Sequence, residues 1–198
     1  MCNKCRYLET ERRCLEIPDT RVHVLLYFIS PHGRGLKPLD VEVMKKLASK
    51  VNLVPVIAKA DTLTKAETNN LKAMAMKVLG AEDIGIYLPE VQGQEMAALG
   101  RSLPFAVCGA NALEESEGVR VRVRQYPWGN VEVENPDHSD FGQLKQFLGN
   151  NVQDLKEVTN LYYETFRQWV ELHPFQREAE AMKKRRESNS TNFNNNFV

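Results

Sequence analysis

The chain has 198 residues, of which 42% are hydrophobic and 26% are charged, a balance typical of one globular domain. Its 26 basic and 26 acidic side chains give a formal net charge of zero, so bulk charge does not favour a nucleic-acid partner. No apolar run reaches about 18 residues, and the residues after Met1 lack an apolar core, so we expect neither a transmembrane span nor a signal peptide.

Composition divides the chain into three stretches. Residues 1–20 are charged and helical or irregular, residues 21–173 carry the periodic apolar pattern of a folded domain, and residues 174–198 form a tail. The tail has a short basic run, Lys183–Arg186, and then an Asn-rich stretch that we expect to be disordered. The basic run is either a solvated helix end or a contact for membrane phosphoinositides.

The cysteines predict no metal site. Cys2 and Cys5 form a lone C-x-x-C pair without the second pair or the histidines that a zinc site needs. Zinc at this pair is the alternative; reduced thiols, together with Cys14 and Cys108, are typical of a cytosolic protein.

A βαβ unit organises the first half of the chain. The near-continuous apolar run Val22–Ile29 predicts a strand covered on both faces. Pro38 opens a helix, whose apolar stripe includes Val41, Met44, Leu47 and Val51. The second buried strand is Leu53–Ile57, and Pro55 within it requires a position where a missing N–H does no harm.

The second strand ends in Ala58-Lys59-Ala60-Asp61, at the edge where open α/β sheets bind ligands. One carboxylate can accept hydrogen bonds from both N1–H and the N2 amine of guanine, and charge-assisted bonds of this kind are strong. The apolar stem of Lys59 can lie on the face of the base. The alternative is that Asp61 merely caps a following helix.

Further patterns predict the remaining elements. Thr64 and Glu67 form a capping box, which predicts a helix from Thr64 to about Leu79, ended by Gly80. We expect an extended piece at Ile86–Leu88, a short helix at Glu95–Arg101 and a strand at Phe105–Cys108. The stretch Val119–Val133 predicts a solvated hairpin or meander with arginines on one face. Helices are expected from Asp140 to about Asn150 and from Asp154 to Pro174.

Four motifs, KPLD, AKADTLT, RQYPWG and VENPDHSDF, resemble signatures of the septin family of GTP-binding cytoskeletal proteins. The resemblance runs from Arg21 to Arg167 and keeps the order of the family's motifs. It implies an α/β fold of the P-loop-NTPase type, with a mostly parallel sheet, flanking helices and a small antiparallel element. It also implies GTP or GDP as the cofactor.

The resemblance assigns two groups of residues. Those implied to bind the nucleotide are Lys59, Asp61, Gly109 and Arg124. Those implied to lie in the interface with a neighbouring subunit are Thr62, Glu67, Trp128 and His138. Each has a structural alternative; Trp128 could be a core residue and His138 a turn residue.

The sequence contains no Gly-Lys dipeptide and no D-x-x-G, so it lacks both the phosphate-cradling loop and the motif that positions Mg²⁺. The chain therefore resembles the carboxyl-terminal part of a septin G domain without the P-loop half. Either it is a truncated gene model or it is a short isoform that needs a partner. Mg²⁺ is expected only if that half is supplied, and without it the strand Val22–Ile29 should be an exposed edge.

Arg34 departs from the family pattern, which more often has His in this loop. A planar, permanently charged arginine between glycines could act in trans on a partner's phosphates, or it could be an ordinary loop residue. The resemblance implies a subunit of homo- or hetero-oligomeric filaments, a cytoplasmic scaffold at the cell cortex or division site. A GTP hydrolase whose amino-terminal half is absent from this sequence, and an assembly module that binds no nucleotide, are the alternatives.

Overall fold

A computed structural model of the chain describes residues 19–31, 35–89, 102–116 and 119–172. Residues Arg21–Thr159 form one compact unit, and Met1–Thr20 with Asn160–Val198 are grouped in a second. The strands are β1 (Val24–Ile29), β2 (Asn52–Ile57), β3 (Phe105–Ala106), β4 (Ala112–Ser116), β5 (Val119–Tyr126) and β6 (Gly129–Glu132). The helices are α1 (Pro38–Ala48), α2 (Lys65–Ala81), α3 (Phe141–Asn150) and α4 (Val152–Leu172), with a 3₁₀ turn at Ala60–Thr62.

The first three strands form a parallel sheet in the order β1-β2-β3. In β2, the central strand, every residue is buried, which explains its continuous apolar run. Leu53 and Ile57 direct their carbonyls to the N–H groups of Tyr87 and Val107, so Pro55 between them faces the same side of the strand. Pairing with β3 begins only at Val56. Proline therefore occupies a point where β3 needs no donor from β2.

Both faces of this sheet are covered because alternate residues of β2 point to opposite sides. Val54 and Val56 pack with Phe105, Phe147 and Leu155 in one cluster. On the other face the core residues come from β1, β2, α1 and α2: Ile29, Ile57, Leu71 and Ala75 in one cluster, and Met44, Leu53 and Leu79 in the next.

The strand β1 lies at the edge of the sheet within the described residues, pairing with β2 alone from Val24 to Ile29. Most of its side chains are half-buried, and Phe28 is 56% exposed. Among the described residues, this arrangement matches the edge expected for this strand.

The helix starts follow the sequence patterns. Pro38 is the first residue of α1, and the carboxylate of Asp40 accepts the backbone N–H of Lys37 at 3.0 Å and the hydroxyl of Tyr27 at 2.8 Å. Burial and this bond raise the pKa of Tyr27 to about 12. In α2 the capping box forms as predicted, since Glu67 accepts the Thr64 backbone N–H at 2.8 Å.

The end of α2 differs from the prediction, because the helix passes through Gly80 to Ala81. The left-handed residue that terminates the helix is Asp83, with φ of 50°, and Ile84 donates its N–H back to the carbonyl of Leu79 at 3.0 Å. Aspartate adopts this conformation more readily than most residues. The residue that terminates the helix is therefore Asp83, three positions after the predicted Gly80.

The second sheet is an antiparallel meander in the order β4-β5-β6. The meander was predicted over Val119–Val133, but β4, which carries Glu114 and Glu115, was not. It pairs with β5 along its whole length, placing Glu115 opposite Arg120. Val123 is buried and Leu113 is 59% exposed, so most of this sheet faces solvent.

Asp140 stands at the start of α3 but does not cap it with its side chain. Its Oδ2 instead accepts the N–H of Ala106 at 2.8 Å and the ammonium of Lys72 at 2.6 Å. The carboxylate therefore links the loop after the meander to β3 and to α2. The prediction of a helix start at Asp140 did not include this long-range role.

Several predictions fall outside the described residues. They are the amino-terminal stretch with Cys2, Cys5 and Cys14, the loop position of Arg34, the helix at Glu95–Arg101, and the tail with Lys183–Arg186. In the part of the chain that is described, no helix is both long and apolar enough to cross a membrane.

Candidate functional site

The segment that follows β2 holds the predicted base-reading residues. Ala58 donates its N–H to Ile29, and Ala60 donates its N–H to Val107 at 3.0 Å. These bonds fix the segment between the ends of β1 and β3, at the carboxyl edge of the parallel sheet. Such an edge is where α/β sheets bind ligands.

Lys59 has an uncommon backbone conformation, with φ of 53° and ψ of 50°. The left-handed region costs a non-glycine residue about 1–2 kcal/mol, and such strain is concentrated at functional sites. The side chain is exposed. Its carbonyl accepts both the backbone N–H of Thr62 at 3.0 Å and the hydroxyl of Thr62 at 2.8 Å, which holds the strained turn.

The side chain of Asp61 is fully buried, and its two oxygens differ. Oδ2 lies 3.3 Å from a guanidinium nitrogen of Arg124 and accepts the hydroxyl of Tyr126. Oδ1 is buried without a hydrogen-bond partner. A buried carboxylate oxygen without a donor is costly, so Oδ1 remains able to accept a further hydrogen bond. Asp61 does not serve as the side-chain cap of α2, which is capped by Thr64.

The structure thus brings Asp61 and Arg124 together, although they are far apart in the sequence. Gly109 lies three residues after β3 and is exposed. A Cβ added to it would meet no atom within 4 Å, so packing of the described residues does not require glycine there. Its place in the site therefore stays a prediction.

The predicted interface residues are all exposed, but most have local partners. Glu67 completes the capping box, and its hydrogen bond from the Thr64 backbone lowers the pKa of the carboxyl. His138 lies in a turn, where its Nδ1 accepts the N–H of Glu132 at 3.1 Å. Trp128 is 82% exposed, which rules out the alternative that it is a core residue.

Tyr126 is a site residue that the sequence analysis did not single out. Its hydroxyl donates to Asp61, and this bond is the main cause that raises the pKa of the phenol. The ring stacks on Trp128 with centroids 4.9 Å apart. The signal was present in RQYPWG, because alternate residues of a strand share a face, which places Tyr126 on the same face as Arg124.

A polar cleft of about 250 Å³ lies beside the site, next to His138 and the Lys72–Asp140 ion pair. Both partners of that pair are largely buried, with side chains 13% and 17% exposed. Lys72 also donates to the carbonyl of Ser102 at 3.0 Å. The lysine charge is therefore satisfied internally, and the pair anchors the wall of the cleft.

The parallel sheet and its covering helices, together with the small antiparallel sheet, define an α/β domain. This is the fold class that the sequence predicted, and a solved structure confirms it. The chain superposes on the "Septin GTPase domain from Chlamydomonas reinhardtii" with a TM-score of 0.65 and 28% identity, over 83% of this chain and 64% of that one.

Comparisons of sequence give the family. The profile of the Septin family matches residues 4–180. The chain is 54% identical to Septin-1 of Drosophila melanogaster over 160 residues, which is 76% of this chain and 44% of that protein. It is 51% identical to Septin-2B of Xenopus laevis over 175 residues, or 82% of this chain and 49% of that protein. The chain belongs to the septin family, and it spans about half the length of these relatives.

Proposed function

We propose that this chain recognises guanine nucleotides through the base, with Asp61 as the residue that selects guanine. The observation that carries the proposal is the buried carboxylate with one unpartnered oxygen, Oδ1. Guanine offers two adjacent donors to such a group, whereas adenine offers a donor and an acceptor. Family membership supports the choice of nucleotide.

The other predicted ligands have supporting roles in this proposal. The exposed Lys59 lays its stem against the base, Gly109 allows close approach of the backbone, and Arg124 lies against the nucleotide. The phosphates find no glycine-lysine cradle within these residues. Mg²⁺ would accordingly bind only if phosphate-binding segments are supplied from outside these residues.

The test compares guanosine with adenosine, because nucleosides report on the base site alone. NMR titration of the 198-residue chain should show saturable binding of guanosine and much weaker binding of adenosine. Asp61→Asn presents one acceptor in place of two, so the preference should disappear, since a hydrogen bond to a charged group contributes about 1.5–3 kcal/mol. An unchanged preference in the variant would remove Asp61 from this role.

Isothermal titration with GTP is a second arm of the same test. Without a phosphate cradle, GTP should bind this chain about as weakly as guanosine. Submicromolar affinity for GTP would show that phosphate recognition resides in these residues after all.

The proposal extends to assembly: the chain is a septin subunit of homo- or hetero-oligomers and filaments, a cytoplasmic scaffold in cytokinesis and in organisation of the cortex. The support is the 82% exposed indole of Trp128, since exposed tryptophans are typical centres of protein interfaces. Thr62, Glu67 and His138 are the other proposed contacts. Trp128→Ala should shift the mass measured by light scattering toward the monomer, and an unchanged mass would contradict the role.

Arg34 as a trans-acting finger, the phosphoinositide contact of Lys183–Arg186, and location at the division site remain proposals. For Arg34, phosphate release by a P-loop-containing partner should rise with the wild-type chain and fall with Arg34→Ala. Equal rates with both chains, while association persists, would make Arg34 an ordinary loop residue. Flotation with phosphoinositide vesicles and imaging of a tagged chain test the other two, and soluble or diffuse protein would contradict them.

A further inference from the structure

Three side chains of the meander form a ladder that ends at Asp61. Arg124, Tyr126 and Trp128 alternate along β5 and the turn that follows it. The guanidinium carbon of Arg124 lies 5.7 Å from the centroid of the Tyr126 ring. The Tyr126 and Trp128 rings are stacked at 9° with centroids 4.9 Å apart.

Two of these side chains, those of Tyr126 and Arg124, contact the carboxylate of Asp61 that we propose reads the base. Tyr126 donates its hydroxyl to Oδ2 of Asp61, and Arg124 lies 3.3 Å from the same oxygen. The second oxygen, Oδ1, has neither solvent access nor a partner. Nothing outside the protein can reach either oxygen of Asp61 in this arrangement.

A guanine base needs both oxygens at once, one for N1–H and one for the N2 amine. The hydroxyl of Tyr126 and the base therefore compete for Oδ2. Because Oδ1 is buried, the groups that bury it must also move before the second bond can form. The inference that follows rests on the proposed function, because it concerns the same carboxylate.

We propose that Tyr126 is a gate on the base site, which guanine displaces from Asp61 when it binds. Displacement exchanges one neutral donor for the two donors of the base and gives Oδ1 the hydrogen-bond partner that it lacks. Because the ring of Tyr126 is stacked on Trp128, the movement also changes the surroundings of that exposed indole. Occupancy of the base site is thereby coupled to a surface residue proposed for assembly.

The test uses Tyr126→Phe in the 198-residue chain, with guanosine as the probe and NMR titration as the measurement. The variant keeps the ring and its stack but cannot bond to Asp61. Removing a competitor that is hydrogen-bonded to a charged group should tighten guanosine binding by about tenfold. The preference over adenosine should persist, and far-UV circular dichroism should show an unchanged fold.

A matched control exists elsewhere in the chain. Tyr27 also donates its hydroxyl to a carboxylate, that of Asp40 at 2.8 Å, but at the start of α1. Tyr27→Phe should leave guanosine affinity unchanged.

In a Trp169→Phe background, Trp128 is the sole tryptophan, and its emission should change when guanosine saturates the otherwise wild-type chain.

The outcomes separate the gate from the base site itself. Equal affinity in wild type and Tyr126→Phe, with guanine preference present, overturns the gate and leaves the proposed function intact. Weaker binding by the variant makes Tyr126 a ligand of the base and also overturns the gate. Emission of Trp128 that does not respond to saturating guanosine overturns the coupling. Absence of guanosine binding by every chain overturns the proposed function and the gate with it.

Discussion

The parallel sheet and the antiparallel meander contribute opposite kinds of residue to one site. Every residue of β2 is buried, and this strand delivers Asp61 on a backbone held from both sides. The meander has Val123 buried but exposes Leu113 and Trp128, and it contributes the side chains that cover the carboxylate. A fully buried strand thus positions the carboxylate that we propose to recognise guanine, while the element with less core supplies the side chains that contact it.

The largest difference between the two regions should appear in stability. Phe105 of β3 is 1% exposed and contacts Phe147 with ring centroids 5.3 Å apart. Phe105→Ala leaves a cavity between sheet and helix and should lower the free energy of unfolding by about 3–5 kcal/mol.

The matched change in the meander is Leu113→Ala, at a side chain that is 59% exposed. It should alter the free energy of unfolding by no more than about 0.5 kcal/mol. Urea denaturation of both variants measures the difference. Similar losses would mean that the meander is as much a part of the cooperative core as the parallel sheet.

A smaller effect should come from the carboxylate that joins the regions. Asp140→Ala removes the carboxylate that accepts the N–H of Ala106 and the ammonium of Lys72. The side chains of Lys72 and Asp140 are only 13% and 17% exposed. Removing one partner of a fully buried ion pair lowers the free energy of unfolding by about 3–5 kcal/mol. Because this pair keeps some solvent contact, we expect Asp140→Ala to lower it by about 2 kcal/mol.

Asp137→Ala is the control for that change, because Asp137 pairs with Lys65 at 2.8 Å in a bridge whose side chains are 76% and 74% exposed. Screened surface pairs contribute little, so the urea midpoint should not move. If Asp140→Ala is equally silent, the ion pair does not anchor the loop after the meander.

The smallest effect is on the titration of Tyr126. Its bond to Asp61 raises the pKa of the phenol, while the charge of Arg124 opposes the shift. A raised folded pKa means that the protonated phenol stabilises the fold below the ordinary tyrosine value of about 10. That contribution is lost as pH rises through the folded pKa.

NMR of ¹³C-labelled tyrosine measures this titration directly. In the wild-type chain Tyr126 should titrate above the ordinary tyrosine value, and Asp61→Asn should return it toward that value. A Tyr126 pKa that does not respond to the substitution would contradict the hydrogen bond on which the gate depends.

Local patterns were sufficient for much of the fold. The apolar run before Lys59, the proline that opens α1 and the Thr64–Glu67 capping box each describe interactions within a few residues, and each formed as predicted. The strand β4 was missed because Glu114 and Glu115 resemble a loop. They lie on a strand that pairs with the basic strand β5. This favourable partner is not visible in the local sequence around Glu114 and Glu115.

In the site, too, the local features could be predicted and the long-range contacts could not. Asp61 could be predicted from its position after a buried strand and from the family motif. Its contact with Tyr126 joins residues 65 positions apart. Asp140 likewise accepts hydrogen bonds from Ala106 and Lys72, which are distant in the sequence. Such contacts depend on where the meander lies relative to the segment after β2, which periodicity alone does not specify.

The left-handed backbone of Lys59 implies a trade-off between thermal robustness and ligand recognition. Glycine adopts that conformation without the steric cost that lysine bears. A library of variants selected only for resistance to heat should therefore enrich glycine at position 59, while selection on guanosine binding should keep lysine. The position is thus a place where stabilising this protein by design would remove part of what it is proposed to recognise.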